Sequence, residues 1–421
     1  MNGRRIQGSL LTGGRQNVLR GICNRTGRPL EGSILVAPRL EASLYDAIVS
    51  ARAVVCSSGG RTGHMQSICR GRGIPVFRVD QSDLADLVGE VTLYLESQSI
   101  VIGSGPGDGP CDSAAGRPAL DDLGTACAVI ADLQDIQTIN SCGPEAKRVE
   151  SFFIREEFLC LALGLRPLDA LIGGPPDIAA YGQALADRLC AFVEALLPDQ
   201  RLVLRMLDLR SDHAAGVTEL ATVTVEPNPE MGLHGARWLL SSNAYRDALH
   251  TVLGSLREQL GDDAARVHLS VPFLNDAREY AQLKEHLQVP PELPVAAFIE
   301  TPAAVYATEA ICAAGASELF VGTKDLVQFY LAADRNNHLV AESYQTRHPA
   351  VVDGVRRVVQ AARAAGTPVR VFSLLADLAH CLERLPTPDG YMLCVAELQQ
   401  VLLEARDQDS GAIPAAARTP R

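Results

Sequence analysis

Short apolar runs separated by polar, helix-periodic stretches set the organisation of this chain. Between residues 30 and about 103, four of them read as strands: Ser33-Ile34-Leu35-Val36-Ala37, Ala53-Val54-Val55-Cys56, Pro75-Val76-Phe77-Arg78-Val79 and Val91-Thr92-Leu93-Tyr94-Leu95. Runs of this length, rich in Val, Ile and Leu, suit strands, and helical patterns lie between some of them. From about Gly124 to Ala405 the alternation becomes regular. Leu202-Val203-Leu204, Val267-His268-Leu269-Ser270-Val271, Ala296-Ala297-Phe298-Ile299 and Leu319-Phe320-Val321 are strand candidates divided by long amphipathic stretches. Strand–helix units repeated over roughly 280 residues predict a parallel α/β barrel, with a doubly wound sheet as the alternative on pattern alone.

Between the two regions lies GSGPGDGPCDSAAGRPALDD, from Gly103 to Asp122, rich in Gly, Pro, Ser and Asp and without a hydrophobic period. It reads as a flexible linker. The expected division is therefore a small domain over 1–103, a linker over 104–123, a barrel over 124–406 and a disordered tail over 407–421.

Composition narrows the function classes. Acidic side chains outnumber basic ones, 50 to 38, for a net charge of −12. That balance argues against a nucleic-acid binder, which would carry a basic stripe. No uncharged apolar stretch of about 18 residues occurs, and MNGRRIQGSL lacks an apolar signal core, so no membrane span and a cytoplasmic location are expected. The eleven cysteines include no C-x-x-C pair, and several sit singly in apolar runs, as buried reduced thiols do.

The first chemical motif is Gly59-Gly60-Arg61-Thr62-Gly63-His64, directly after the run Ala53–Cys56. The following MQSICRGRGIP reads as a helix ending near Gly71 or Gly73. A strand, a glycine turn and a helix opening at His64 would present an imidazole at the end of a sheet. Backbone N–H groups at the helix start could stabilise a phosphate carried on that ring. Neutral imidazole is a competent nucleophile, its ordinary pKa being about 6.5. Taken alone, the motif is equally compatible with a loop histidine of no special function.

The stretch GGRTGHMQSICRGRGIPVF resembles the phosphohistidine segment of the phosphoenolpyruvate-utilising enzymes, which include phosphoenolpyruvate synthase, pyruvate phosphate dikinase and enzyme I of the sugar phosphotransferase system. Gly63 stands where that family has a small Ser or Cys. A second segment, from Phe298 through Glu300-Thr301-Pro302, Gly322-Thr323-Lys324-Asp325 and Asp334-Arg335-Asn336-Asn337 to His348-Pro349-Ala350, is similar to the family's substrate-binding signature. The resemblance implies a swivelling phosphohistidine domain followed by a (β/α)8 TIM barrel. It also implies a phosphotransferase in which His64 carries the phosphoryl group.

It further implies site residues. Glu300 and Asp325 match the ligands of a divalent metal, Mg²⁺; each stands just beyond a strand-like run, where barrel sites assemble. For either alone, a solvated loop carboxylate is the other reading. Arg155 in FFIREEFL, Arg205 in LVLRMLDL and Arg335 match arginines that bind phosphate and carboxylate and offset charge in the transition state. Asn228 in EPNPEMGLHGAR matches a mouth-shaping asparagine, or is a turn residue before Pro229.

Several positions depart from the family. Lys324 replaces an amide that contacts phosphate; it is still expected to hold a substrate phosphate, as a point charge instead of a directional donor. Glu156 replaces a threonine, and Arg210-Ser211 a glycine pair, with His213 where a lysine is common. In Pro368–Ala376, Phe372 occupies the position of the cysteine that protonates the enolate carbon, and Leu374 that of a glutamate. Neither donates a proton. Cys394 is a candidate substitute, although it more closely matches a cysteine that some dikinases carry there besides the catalytic one.

The expected substrate is thus phosphoenolpyruvate or another small phosphorylated or carboxylate compound, such as a hydroxy acid. A pseudoenzyme or phosphorylation-responsive regulator is the alternative. No ATP-grasp domain or carrier-binding insert fits before Gly59, so a separate nucleotide-binding or phosphocarrier protein is an expected partner. A homodimer through the barrel is also implied.

Overall fold

The computed structural model describes residues 4–13, 17–58, 64–103, 118–218, 224–335 and 337–409. Its first part is one eight-stranded sheet built from β1 (Arg5–Gln7), β2 (Ser9–Thr12), β3 (Val18–Asn24), β4 (Ile34–Val36), β5 (Ala53–Cys56), β6 (Val76–Arg78), β7 (Glu90–Tyr94) and β8 (Ser99–Ile102). The order across it is β1-β8-β7-β3-β4-β5-β6-β2, with β3 to β6 parallel and the flanking pairs antiparallel. The four apolar runs read from the sequence are β4 to β7.

The remaining strands left no such signal. In β1 only Ile6 is buried, and β3 interrupts its apolar residues with Arg20 and Gly21. An edge strand such as β1 needs few apolar residues, whereas β3 lies inside the sheet between β7 and β4 and is held by pairing on both sides.

The second part is a closed barrel of β9 (Ala126–Ile130), β10 (Val149–Arg155), β11 (Arg201–Arg205), β12 (Val267–Val271), β13 (Val295–Ile299), β14 (Leu319–Val321), β15 (Val369–Phe372) and β16 (Gly390–Cys394). Every neighbour is parallel, and β16 pairs back to β9 through Met392 and Cys127. Closure decides between the two architectures left open by the pattern, in favour of the barrel. Alternate side chains fill the interior: Phe153, Phe298, Phe320, Phe372 and Met392 form a core of their own. The Phe153 ring lies 5.3 Å from that of Phe298 and 5.0 Å from that of Phe320. The outward-facing residues pack beneath the helices in a larger layer.

The lower end of the barrel is held by charge. Arg201 and Arg370 meet Glu150 and Glu318 in one partly buried network, with Arg201 Nη2 3.2 Å from Glu318 Oε1.

Two expected boundaries shift. The last residues of the expected linker, Leu120–Leu123, form a 3₁₀ turn whose Leu120 and Leu123 are buried in the barrel's outer core. At the other end, the final helix runs Val395–Asp409, past the expected start of the tail at Asp407. Leu398 and Leu402 anchor it in the core, which composition alone did not reveal. The remaining linker residues 104–117 and tail residues 410–421 lie outside the described residues. The ten cysteines among the described residues are all free thiols. No described helix is long and apolar enough to cross a membrane.

Candidate functional site

The C-terminal ends of the strands carry a concentration of charge, as barrels place it. Arg155 ends β10, Arg205 ends β11, Glu300 follows β13, and Asp325 sits in the first turn of the Thr323–Leu331 helix after β14. These four and Arg335 line one polar cavity. Gly322 makes the strand exit possible: a Cβ there would lie 2.7 Å from Glu300 Cγ.

Arg205 is buried among three carboxylates. Its Nη2 pairs with Glu157 and lies 3.2 Å from Asp208 Oδ2, and its Nη1 lies 3.3 Å from Glu300 Oε1. Arg335 places Nη1 2.8 Å from Asp325 Oδ1 and Nη2 3.6 Å from Glu230 Oε2. Glu300 Oε2 accepts the Phe273 N–H at 2.9 Å, from a backbone held at φ 51°. Burial pushes the Glu300 carboxyl up to about 8, against the pull of Arg205 and with the added repulsion of Asp325.

The Nε–H groups of Arg155, Arg205 and Arg335 are all buried without a hydrogen-bond partner. A buried donor left unmade costs about 1–3 kcal/mol, so three in one cavity suit an anion with several acceptor oxygens. The two acidic residues fit a hard divalent cation. Glu300 and Asp325 offer oxygen donors, and a cation beside them would offset the burial and the Asp325 repulsion that raise Glu300. Among the described residues no group of three or more metal-ligating side chains occurs, so further ligands would come from substrate oxygens and water.

Lys324 departs from its expected place. It does not line the arginine cavity. Its Nζ donates to Ser67 Oγ at 3.0 Å and lies 4.6 Å from the centroid of the Phe372 ring. Burial lowers its pKa to about 7. With Arg155, Phe372 and Cys394 it lines a second cavity, roofed by the helix that begins at His64. That helix spans His64–Gly71, as the glycine motif predicted, and packs Met65, Ile68 and Cys69 into a core that includes Phe158 of the barrel. The loop Gly59–Gly63 and the His64 side chain lie outside what is described.

Asn228 is the expected site residue that the structure leaves out. It is exposed and its carbonyl accepts the Met231 N–H at 2.9 Å, the turn role, while Glu230 and His234 of the same segment enter the cavity. Asp208, Arg210, Glu230, His234 and Phe273 were not singled out as site residues from the sequence. Neither was Glu157. Asp208 had a signal: it closes Arg205-Met206-Leu207-Asp208, the same short segment as Arg205. It pairs with His234 Nδ1 at 2.7 Å. Burial works to raise the Asp208 carboxyl, but His234 and Arg205 outweigh it and hold it well below the usual range. Glu157 likewise follows Arg155 by two residues.

Glu156, the replacement for threonine, has a different role. Its two carboxylate oxygens each accept a tyrosine hydroxyl at 2.6 Å, from Tyr181 and Tyr245. Tyr245 also accepts the Leu207 N–H at 3.4 Å, tying the Arg205 loop to this clamp. Burial raises Glu156 to about 7. A raised carboxyl contributes its stability below the unfolded value and loses it as pH rises through the folded one. Urea midpoints should therefore fall between about pH 4.5 and 8, and Glu156→Gln should flatten part of that fall. An unchanged slope in the variant would remove Glu156 as its source.

A family model described as "PEP-utilising enzyme, PEP-binding domain" matches residues 148–381. Another, "PEP-utilising enzyme, mobile domain", matches residues 29–84. The chain is 24% identical over 363 residues to a probable phosphoenolpyruvate synthase of Archaeoglobus fulgidus, covering 84% of this chain and 47% of that protein. It is 28% identical over 387 residues to a multiphosphoryl transfer protein of Xanthomonas campestris pv. campestris, covering 84% and 43%. With a phosphoenolpyruvate-protein phosphotransferase of Haloferax volcanii it shares 27% over 354 residues, covering 79% and 59%. The chain thus spans about half the length of these relatives.

Proposed function

The chain belongs to the PEP-utilising enzyme family, and on that premise we propose that it is a phosphotransferase that moves a phosphoryl group between His64 and a small carboxylate-bearing substrate in the barrel mouth. The observation that carries this reading is the position of the His64 helix. Ser67, about one turn from His64, touches Lys324 in the second cavity, which shares Arg155 with the cavity lined by Arg155, Arg205 and Arg335.

The three arginines, each with an unpaired buried Nε–H, would bind the phosphate and carboxylate oxygens. Glu300 and Asp325 would hold Mg²⁺, which would neutralise charge on the transferring group. With phosphoenolpyruvate as donor, the substrate's P–O bond breaks and a P–N bond to the imidazole forms. The imidazole proton leaves, and an enolate remains that needs a proton on carbon to become pyruvate.

Phe372 supports a second substrate reading. Its ring lies in the barrel interior beneath Lys324, where it cannot supply that proton. A hydroxyl group accepting phosphate from His64 needs none: the P–N bond breaks, a P–O bond forms and the hydroxyl proton leaves. A hydroxy acid is such an acceptor.

The linker expected over 104–123 would join a swivelling domain over 1–103 to the barrel. A separate nucleotide-binding or phosphocarrier protein would then serve as the other station, with the chain a cytoplasmic homodimer through its barrel.

The test is incubation with radiolabelled phosphoenolpyruvate and Mg²⁺, followed by a search for acid-labile label. We expect label in the parent chain and none in His64→Ala. Label arising only with a nucleotide-dependent partner present would select the altered-substrate reading. No label by either route would sink the phosphotransferase assignment and leave a binding protein.

A further inference from the structure

The helix His64–Gly71 is held to the barrel at two polar points and one apolar patch. At its middle, Ser67 meets Lys324. Just past its end, Arg72 pairs through Nη2 with Asp132 Oδ2, and its Nε lies 3.9 Å from Asp135 Oδ1. Met65 and Ile68 pack in the core that includes Phe158.

The acceptors of Arg72 are prepared for it. Asp132 caps the Leu133–Asn140 helix and takes the Asp135 N–H at 3.3 Å, while Asp135 Oδ2 takes the N–H groups of Ala131 at 2.7 Å and Asp132 at 3.2 Å. One carboxylate oxygen of each is thus spent on the helix start, and the other faces the guanidinium. Side-chain exposures of 18% for Arg72, 26% for Asp132 and 8% for Asp135 separate this contact from an exposed ion pair, which contributes about 0–1 kcal/mol. Burial raises the Asp135 carboxyl, and Arg72 works against that rise.

One contact would let the helix pivot. Two contacts separated along its length fix its direction and its rotation about its own axis. Arg72 lies eight residues from His64, about 12 Å along a helix, so an error in its angle is carried to the other end.

We propose that Arg72, through Asp132 and Asp135, is the positioning residue that sets His64 over the barrel mouth for the barrel half of the transfer. This rests on the phosphotransferase reading above. A polar latch suits the purpose: it aligns the docked helix and can be rehydrated when the domain leaves, which a larger apolar interface would resist.

The experiment compares Arg72→Glu, Asp132→Arg and the double exchange with the parent chain. His64 is labelled either by radiolabelled phosphoenolpyruvate, which needs the barrel, or by phosphoramidate, a small donor that does not. Arg72→Glu should lower the first rate about 10²-fold, the scale of a misplacement of about 1 Å, and leave the second within twofold. The double exchange should recover most of the loss. Full-rate labelling of Arg72→Glu by phosphoenolpyruvate would overturn the proposal.

Hydrogen exchange of the His64–Gly71 amides provides a readout without activity. Protection should fall in Arg72→Glu and return in the double exchange; unchanged protection would refute the latch. If the parent chain takes label only from phosphoramidate, the phosphoenolpyruvate reading fails while the exchange result still decides the latch.

Discussion

With Arg335 replaced by alanine, transfer of label from phosphoenolpyruvate to His64 should fall about 10³-fold, the scale for removing a charge that stabilises a transferring phosphoryl group. The residue follows the Thr323–Leu331 helix and pairs with Asp325 at 2.8 Å, so it couples a candidate metal ligand to the anion cavity. Its Nε–H, buried and without a partner, is the donor a phosphate oxygen would take. Arg335→Lys separates charge from geometry. An ammonium keeps the charge but loses the planar fork, so it should recover at most about a tenth of the parent rate. Single-turnover labelling measures both variants, and near-parental rates in Arg335→Ala would exclude the residue from the chemistry. His64→Ala should remove the acid-labile label altogether, which fixes the floor for this comparison.

Glu318→Ala should be the most damaging substitution for stability. Glu318 stands just before β14 and answers two arginines, Arg201 and Arg370. The side chains of Arg370 and Glu318 are 2% and 5% exposed, so removing the acid takes one of the two carboxylates from a buried guanidinium and leaves it with Glu150 alone. Breaking one side of a buried pair costs about 3–5 kcal/mol, because the desolvated partner remains. For a domain of this size that corresponds to a fall in melting temperature of about 10 °C. Removing both charges, in Glu318→Met with Arg370→Met, should restore most of the loss, since apolar residues of similar volume replace such pairs at little cost. Calorimetry of the two variants checks both points. A small loss in Glu318→Ala would mean that Glu150 alone satisfies the arginines.

These two predictions concern opposite ends of the same barrel, and they were legible to different degrees. Arg335 was named from its surroundings in the sequence. Arg370 and Glu318 were not, because they lie 52 residues apart in the chain and become partners only when β14 and β15 align.

The same division runs through the site. Glu300 and Asp325 could be placed from the sequence because each stands just beyond a short apolar run, and such runs are local; Arg155 and Arg205 came from the resemblance of their segments to the family's. Apolar segments of three to five residues likewise marked β4 to β7 and β11 to β14. The helix opening at His64 followed from a glycine turn directly after a strand.

Tertiary structure alone decided the closing of the barrel, the edge strands β1 and β2 and the inner strand β3, and which member of the 228–234 segment faces inward. It put Glu230 and His234 in the cavity and left Asn228 exposed. It also separated neighbours: Asp325 meets Arg335, while Lys324 meets Ser67, which is 257 residues away. On a helix of 3.6 residues per turn, adjacent side chains diverge by about 100°, so a shared motif does not imply a shared cavity. Local pattern determined where the chemical groups stand along the chain. Direction and partnership were set by strand closure and by the docking of the His64 helix, because both depend on contacts between residues far apart in sequence.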